Sequence, residues 1–232
     1  YTNRRYTRNP ITNQDENAIF WQMQCPPVGT LPPPPPPPDI YFDRLDNITI
    51  RKAVETYKDN IGSCPHIETW NVSQVTDMSK LFEDFHDFNG NISNWDTSNV
   101  TDMSRMFMGA HNFDQPLEWD TSNVTDMSSM FEGATNFYQP LNWDTRNVTD
   151  MSEMFEGAEN FSYPLNWDTS NVTDMNSMFD GALSFDEPLN WDTSNVTDMT
   201  RMFADTVEFN QPLNWNTSNI TDMSEMFDGA RS

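Results

Sequence analysis

Apolar residues return along this chain at a fixed interval. Trp70, Trp95, Trp119, Trp143, Trp167, Trp191 and Trp215 are separated by 25 residues once and by 24 from then on. The one extra residue falls in Ile92-Ser93-Asn94-Trp95, where later units read Leu117-Glu118-Trp119. Each Trp is followed in phase by an aliphatic residue, Val75 through to Ile220. Two methionine phases come next, Met103 to Met223 and Met106 to Met226, with Leu81 heading the second. Two phenylalanine phases, Phe82 to Phe227 and Phe88 to Phe209, complete the unit. A 24-residue unit is too short to bury its own apolar face, so successive units must stack and share a continuous core. The pattern predicts a repeat solenoid over residues 70–232, of about seven coils. Equivalent residues would form ladders, and the rod would be roughly 30–35 Å long at the usual strand spacing.

One unit reads W-D-T-S-N-V-T-D-M-S-x-M-F-x-G-A-x-x-F-x-Q-P-L-N. The alternation in Leu117-Glu118-Trp119 predicts a short strand, and Asp120-Thr121-Ser122-Asn123 a turn, since Asp, Ser and Asn bond their own backbone. Val124-Thr125-Asp126-Met127 alternates again and predicts a second short strand. Ser128 reads as a helix N-cap, with Met130, Phe131 and Ala134 on one face of a turn or two of helix. The expected coil is thus α/β: short strands plus a short helix per repeat.

Composition sharpens this picture. The chain has 232 residues with 36 acidic against 12 basic side chains, a formal charge of −24, and only 36% hydrophobic residues. Such acidity excludes ordinary nucleic-acid binding, because phosphates are repelled. No apolar run approaches the ~18 residues of a membrane-spanning helix, so no membrane insertion is expected. Acidic, polar chains are often disordered, but here 13% of residues are aromatic and 15 are Met. The surplus Met, Phe and Trp is one small core written repeatedly. A low hydrophobic fraction suits a thin rod, which exposes more surface than a sphere.

The repeated W-D-T-S-N-V-T-D-M-S-x-M-F-x-G-A-x-x-F-x-Q-P-L motif, recurring over residues 70–230, resembles the BspA-type leucine-rich-repeat surface proteins. The resemblance implies a leucine-rich-repeat-like solenoid and a cell-surface, adhesive or structural role, with no catalytic residues to carry over. The segment 43–60, with Ile50-Arg51-Lys52-Ala53-Val54 and Tyr57, also looks like the helix that precedes such repeats.

The rest of the chain divides into an extended N-terminal arm over 1–31, a polyproline II linker over 32–38 and an N-terminal helical cap over 39–69. Arg4, Arg5 and Arg8 against Asp15 and Glu16 leave residues 1–38 at +1 and the remainder at −25. Pro32 to Pro38 would form a rod of about 20 Å. It reads as a stiff spacer, as a ligand for an aromatic groove, or as part of an arm that docks on a neighbouring subunit. In the cap, Ile48, Ile50, Val54 and Tyr57 are the expected apolar side, covering the open core of the first coil. The chain begins at Tyr1 and stops in mid-repeat at Ser232. Either it is a piece of a longer chain, or its last coil is covered by another molecule; unpaired strand edges there invite head-to-tail stacking.

Several residue sets invite chemistry. Cys25 and Cys64 either pair as a disulfide, worth about 3–4 kcal/mol in the loop-entropy model, or stay free thiols. Acidic pairs six apart recur as Asp96/Asp102, Asp120/Asp126, Asp144/Asp150, Asp168/Asp174 and Asp192/Asp198. Stacked carboxylates about 5 Å apart repel by roughly 3 kcal/mol at an effective dielectric of 20. Calcium bridging would offset that, and so would bonds to Ser, Thr and backbone N–H in turns; no calcium-roll motif occurs. Among eleven N-x-S/T sequons, six sit at one repeat phase, Asn99 to Asn219. These read as an asparagine ladder within a turn, whereas off-phase Asn47 and Asn160 are the better glycosylation candidates. The ladder Trp95, Trp119, Trp143, Trp167, Trp191 and Trp215 reads as core, with a sugar-stacking platform as the sharper alternative. His66, His86 and His111 share no repeat phase, and no catalytic order or metal-spaced cluster is visible, so no enzyme and no catalytic residue is expected.

The expectation is a non-enzymatic, extracellular or cell- or virion-surface protein. It would act in adhesion and protein–protein contact through a rigid acidic solenoid. A structural subunit of a filament, appendage or virion, self-assembling through the arm and last coil, is one alternative. A module binding surface glycans or depending on calcium is the other.

Overall fold

The computed structural model describes residues 44–59 and 66–231. Cys25 and Cys64, the arm and the proline run lie outside the described residues.

The cap is an α-helix, α1, spanning Thr49–Asp59. Asp46 starts it: its Oδ1 accepts the backbone N–H of Ile48 at 3.0 Å and of Thr49 at 2.8 Å, while the Thr49 hydroxyl accepts the Asp46 N–H at 2.8 Å. Those donors hold the Asp46 carboxyl below its ordinary pKa, the Thr49 N–H most of all. Ile50, Ala53 and Val54 are buried on one face, as their i, i+3, i+4 spacing requires. Ile48, expected on that face, precedes the helix and is 65% exposed. Tyr57 packs edge-on against Trp70, with ring centroids 6.1 Å apart. Arg51 ties α1 to the first coil through Asp77 Oδ1 at 2.8 Å. A 3-10 turn, Ile67–Thr69, leads into Trp70.

From Trp70 onward the chain winds in coils stacked in register. Single parallel β-bridges join Asp77 to Asp102, Asp102 to Asp126, and so on to Asp222. The aromatic ladders lie inside. Phe131, Phe155 and Phe179 stack at 5.6 Å, and Trp143 lies 6.3 Å from Trp167 with planes 3° apart. Val148, Met151, Met154, Phe155, Ala158 and Phe161 are fully buried, and their equivalents in neighbouring coils likewise. Burying each large apolar side chain contributes about 1.5–3 kcal/mol.

The expected helix in each coil does not form. Among the described residues α1 is the α-helix, and the coils carry turns and isolated bridges in place of helices and extended strands. The backbone explains why. Ser129 sits at φ +52° and Gly133 at φ +65°, and their equivalents in other coils behave alike. A left-handed residue breaks a right-handed helix. Instead, alternate residues bond in two directions. The N–H groups of Met127, Ser129, Phe131 and Gly133 donate to Asp150, Ser152, Met154 and Glu156 of the next coil, at 2.6–3.1 Å. Those of Met130, Glu132 and Ala134 turn back to Met127, Ser129 and Phe131. Every second bond is thus a link between coils, which makes the stack stiff along its axis.

Candidate functional site

The Asp pairs fall on the turns and are answered locally. Oδ1 of Asp96 accepts the Ser98 hydroxyl at 2.6 Å, and Asp102 accepts that of Ser104 at 2.7 Å. Asp120 and Asp168 bond Ser122 and Ser170 in the same way, and Asp126 and Asp150 bond Ser128 and Ser152. Elsewhere the residue two on still supplies the donor: Arg146 for Asp144, Asn176 for Asp174, and the backbone N–H of Ser194 and Thr200 for Asp192 and Asp198. These hydrogen bonds hold Asp120, Asp168 and Asp192 below the ordinary carboxylate range, and the bond to Arg146 does so for Asp144. Burial pushes Asp150 the other way. Among the described residues no group of three or more His, Cys, Asp or Glu side chains is placed to hold a metal ion.

The in-phase asparagines form a ladder of backbone bonds. Nδ2 of Asn123, Asn147 and Asn171 donates to the carbonyls of Ser98, Ser122 and Arg146, one coil back. Asn47 is spent on the cap: its Oδ1 accepts the N–H of Thr76 at 2.8 Å and its Nδ2 donates to the Thr76 hydroxyl at 3.0 Å. Asn160 is exposed and donates to Asn136 Oδ1 at 3.4 Å.

Trp95, Trp119, Trp143, Trp167 and Trp191 are buried, and Trp215 is partly buried. Their faces lie against one another, and the indole N–H of Trp143 donates to the Leu117 carbonyl at 3.1 Å. What reaches the surface is edge, beside a shallow groove of about 310 Å³ bordered by Pro116, Trp119, Pro140 and Trp143.

Two of the positions that differ from coil to coil stand next to each other. One ladder runs Lys80, Arg105, Ser129, Glu153, Ser177, Arg201, Glu225, all at positive φ. Beside it runs Glu83, Met108, Glu132, Glu156, Asp180, Ala204, Asp228. Arg105 meets Glu83 at 2.7 Å, and Arg201 meets Asp180 at 2.8 Å and Glu225 at 2.9 Å. Ser129 donates to Glu153 at 2.7 Å. Between the two arginines, Glu132 and Glu156 stand half-buried. Burial, and then the charges of Glu132, Asp180 and Glu153, push Glu156 up to about 7. Burial also raises Glu132, and Glu153 adds to it. Sequence reasoning missed this face because it followed the residues that recur. The signal lay in the two unspecified positions of M-S-x-M-F-x-G, where charge accumulates without repeating.

The fold and this face define a class: a stacked repeat protein with a recurrent core and a variable charged flank. The chain belongs to the family described as "Mycoplasma protein of unknown function, DUF285", whose model matches residues 50–166 and again 139–232. Two overlapping matches are what a repeated unit produces. No curated protein and no solved structure matches the chain. Among the described residues no helix is long and apolar enough to cross a membrane.

Proposed function

We propose that this chain is a leucine-rich-repeat-like solenoid of the BspA type, working as a non-enzymatic surface or extracellular module in adhesion and protein–protein contact. One observation carries the reading. Core ladders repeat almost without change, while the positions from Lys80 to Glu225 and from Glu83 to Asp228 vary in charge and size, and all but Ser129, Asp180 and Ala204 reach the surface. A rod held by coil-to-coil backbone bonds presents such positions at fixed spacing, and rigid presentation lowers the ordering cost of binding. Many weak contacts then add through multivalency. Beads coated with the full chain should adhere to cell monolayers, and charge reversal at Glu132, Glu153 and Glu156 should abolish adhesion. Beads that never adhere, or that adhere equally after charge reversal, would count against the reading.

We propose assembly into a filament, appendage or virion as the second reading. Light scattering that stays monomeric at high concentration would remove assembly. Calcium- or glycan-dependent binding is tested by adding a chelator to the bead assay and by a glycan array.

A further inference from the structure

Just after the buried phenylalanines Phe88 to Phe209, two outward positions repeat one bond. Nε2 of Gln115 donates to Asn89 Oδ1 at 2.9 Å, that of Gln139 to Asp114 Oδ1 at 2.8 Å, and that of Gln211 to Asp186 Oδ1 at 2.9 Å. Each of these bonds joins one coil to the next. In the middle of the rod the same register is held by Tyr138 and Tyr163. Their ring centroids lie 4.7 Å apart, with planes at 45°. A polar link between coils is thus replaced by a contact between two phenols. Tyr138 is 49% exposed, and its backbone N–H donates to Asp114 Oδ1 at 3.0 Å. Tyr163 is partly buried and packs on the core. One ring is therefore anchored, and the other lies over it at the surface.

This arrangement suits oxidative coupling. A phenol that loses one electron and one proton becomes a phenoxyl radical, with unpaired spin on the ring carbons beside the oxygen-bearing one. Two such radicals join at those carbons when the rings meet. Centroids 4.7 Å apart bring ring carbons close to van der Waals contact, and an exposed side chain reorients within nanoseconds. Holding both rings together makes the coupling an intramolecular step. Tyr57, the other tyrosine among the described residues, has Trp70, Phe85 and Phe88 as its ring neighbours, and burial raises its pKa.

We infer that Tyr138 and Tyr163 form an oxidative cross-linking site, converted to dityrosine by a haem peroxidase using hydrogen peroxide. Each phenol gives up one electron and one proton. A carbon–carbon bond forms between the two rings, and the hydrogens on the joined carbons move to the oxygens, restoring both phenols. The chain loses two hydrogen atoms in total, and one peroxide takes them up to leave as two waters. The product ties residues 25 apart in sequence across the seam between two coils. It closes a loop that the unfolded chain leaves open, as a disulfide does. The inference does not depend on whether the stack serves adhesion or assembly.

Treating the full chain with a haem peroxidase and hydrogen peroxide tests this. The chain should stay monomeric, lose the mass of two hydrogens and gain the blue fluorescence of dityrosine. Trypsin cuts after Arg146, between the two tyrosines, so the link should appear as two peptides held together at Tyr138 and Tyr163. The yield should be unchanged on about tenfold dilution, as for an intramolecular step. Tyr138→Asn/Tyr163→Gln installs the pair that Asn89 and Gln115 form and keeps the charge, so it should fold and lose this link. Absence of dityrosine, links only between chains, or links only at other tyrosines would each overturn the inference. The linked chain should also melt at a higher temperature than the untreated one, and Tyr138→Phe treated alike should not. A linked chain that melts no higher would overturn the stapling of the two coils.

Discussion

Nε of Arg201 stands 2.8 Å from Oδ2 of Asp180, one coil before it, while in the coil after Glu156 the register of Arg201 is held by Ser177. Two neighbouring acids on the same backbone therefore differ in the cation they meet, and their behaviour should differ accordingly.

The first consequence is a pH dependence of stability. Glu156 is raised to about 7 in the folded chain, above its ordinary value near 4.5. Its protonation favours folding, so the stability it contributes is fully present below about 4.5 and is lost as pH rises through about 7. The Asp residues held low act oppositely, but only as pH falls below the ordinary carboxylate range. The melting temperature should therefore fall between pH 5.5 and 8, and Glu156→Gln should flatten that fall, as thermal melts across the range would show.

Arg201 and Arg105 should not be equivalent. Arg201 bonds Asp180, whose side chain is 12% exposed, and also reaches Glu225; Arg105 bonds Glu83, at 25% exposure, and otherwise the Met108 sulfur at 3.1 Å. Arg201→Ala leaves a nearly buried carboxylate unpaired and should lower the melting temperature more than Arg105→Ala does. Asp180→Asn added to Arg201→Ala should recover part of the loss, because the orphaned charge is gone.

Phe155 ties its coil to both neighbours, with rings at 5.6 Å from Phe131 and Phe179 and 4.1 Å from Phe161. Phe155→Ala should cost about 3–5 kcal/mol. Because each coil contacts only its neighbours, a gap in the middle weakens coupling between the halves. Denaturant unfolding should broaden or split into two steps, whereas the same change at Phe227, which is half exposed, should leave one step.

Gly157 needs its left-handed backbone but not empty space. An added Cβ would meet Gly133 only at 3.7 Å, an ordinary contact. Asp84 and Asp205 occupy the equivalent place at φ +53° and +52°. Gly157→Asn should therefore cost under about 1 kcal/mol, and Gly157→Val about 2 kcal/mol or more, since a branched side chain tolerates this conformation poorly. Chemical denaturation resolves that difference.

A further 24-residue unit of the repeat sequence, joined after Ser232, should stack on the last coil. It would bury Met223 and Phe227, at about 1.5–3 kcal/mol for each side chain fully covered. The melting temperature should rise and near-UV circular dichroism should gain one coil's aromatic signal.

The period, the register of the ladders and the identity of the core were determined by the sequence alone. A seven-fold recurrence of Trp, Val, Met and Phe leaves stacking as the economical way to keep them from water. The turn chemistry of Asp-Thr-Ser-Asn was legible for the same reason: an Asx turn is local, and Asp120 bonds Ser122 two residues on. The helix was misread because Met130, Phe131 and Ala134 do share a face, but left-handed Ser129 and Gly133 place them there through turns. Periodicity records which side chains point inward and is blind to the sign of φ. Nor could sequence reveal the meeting of Glu83 with Arg105 and of Asp180 with Arg201, or that among the described residues no cation pairs with Glu132 or Glu156. Those pairs are 21 and 22 residues apart, and only the stacking of one coil on the next decides which variable side chain faces which, and how far water is kept from their charge.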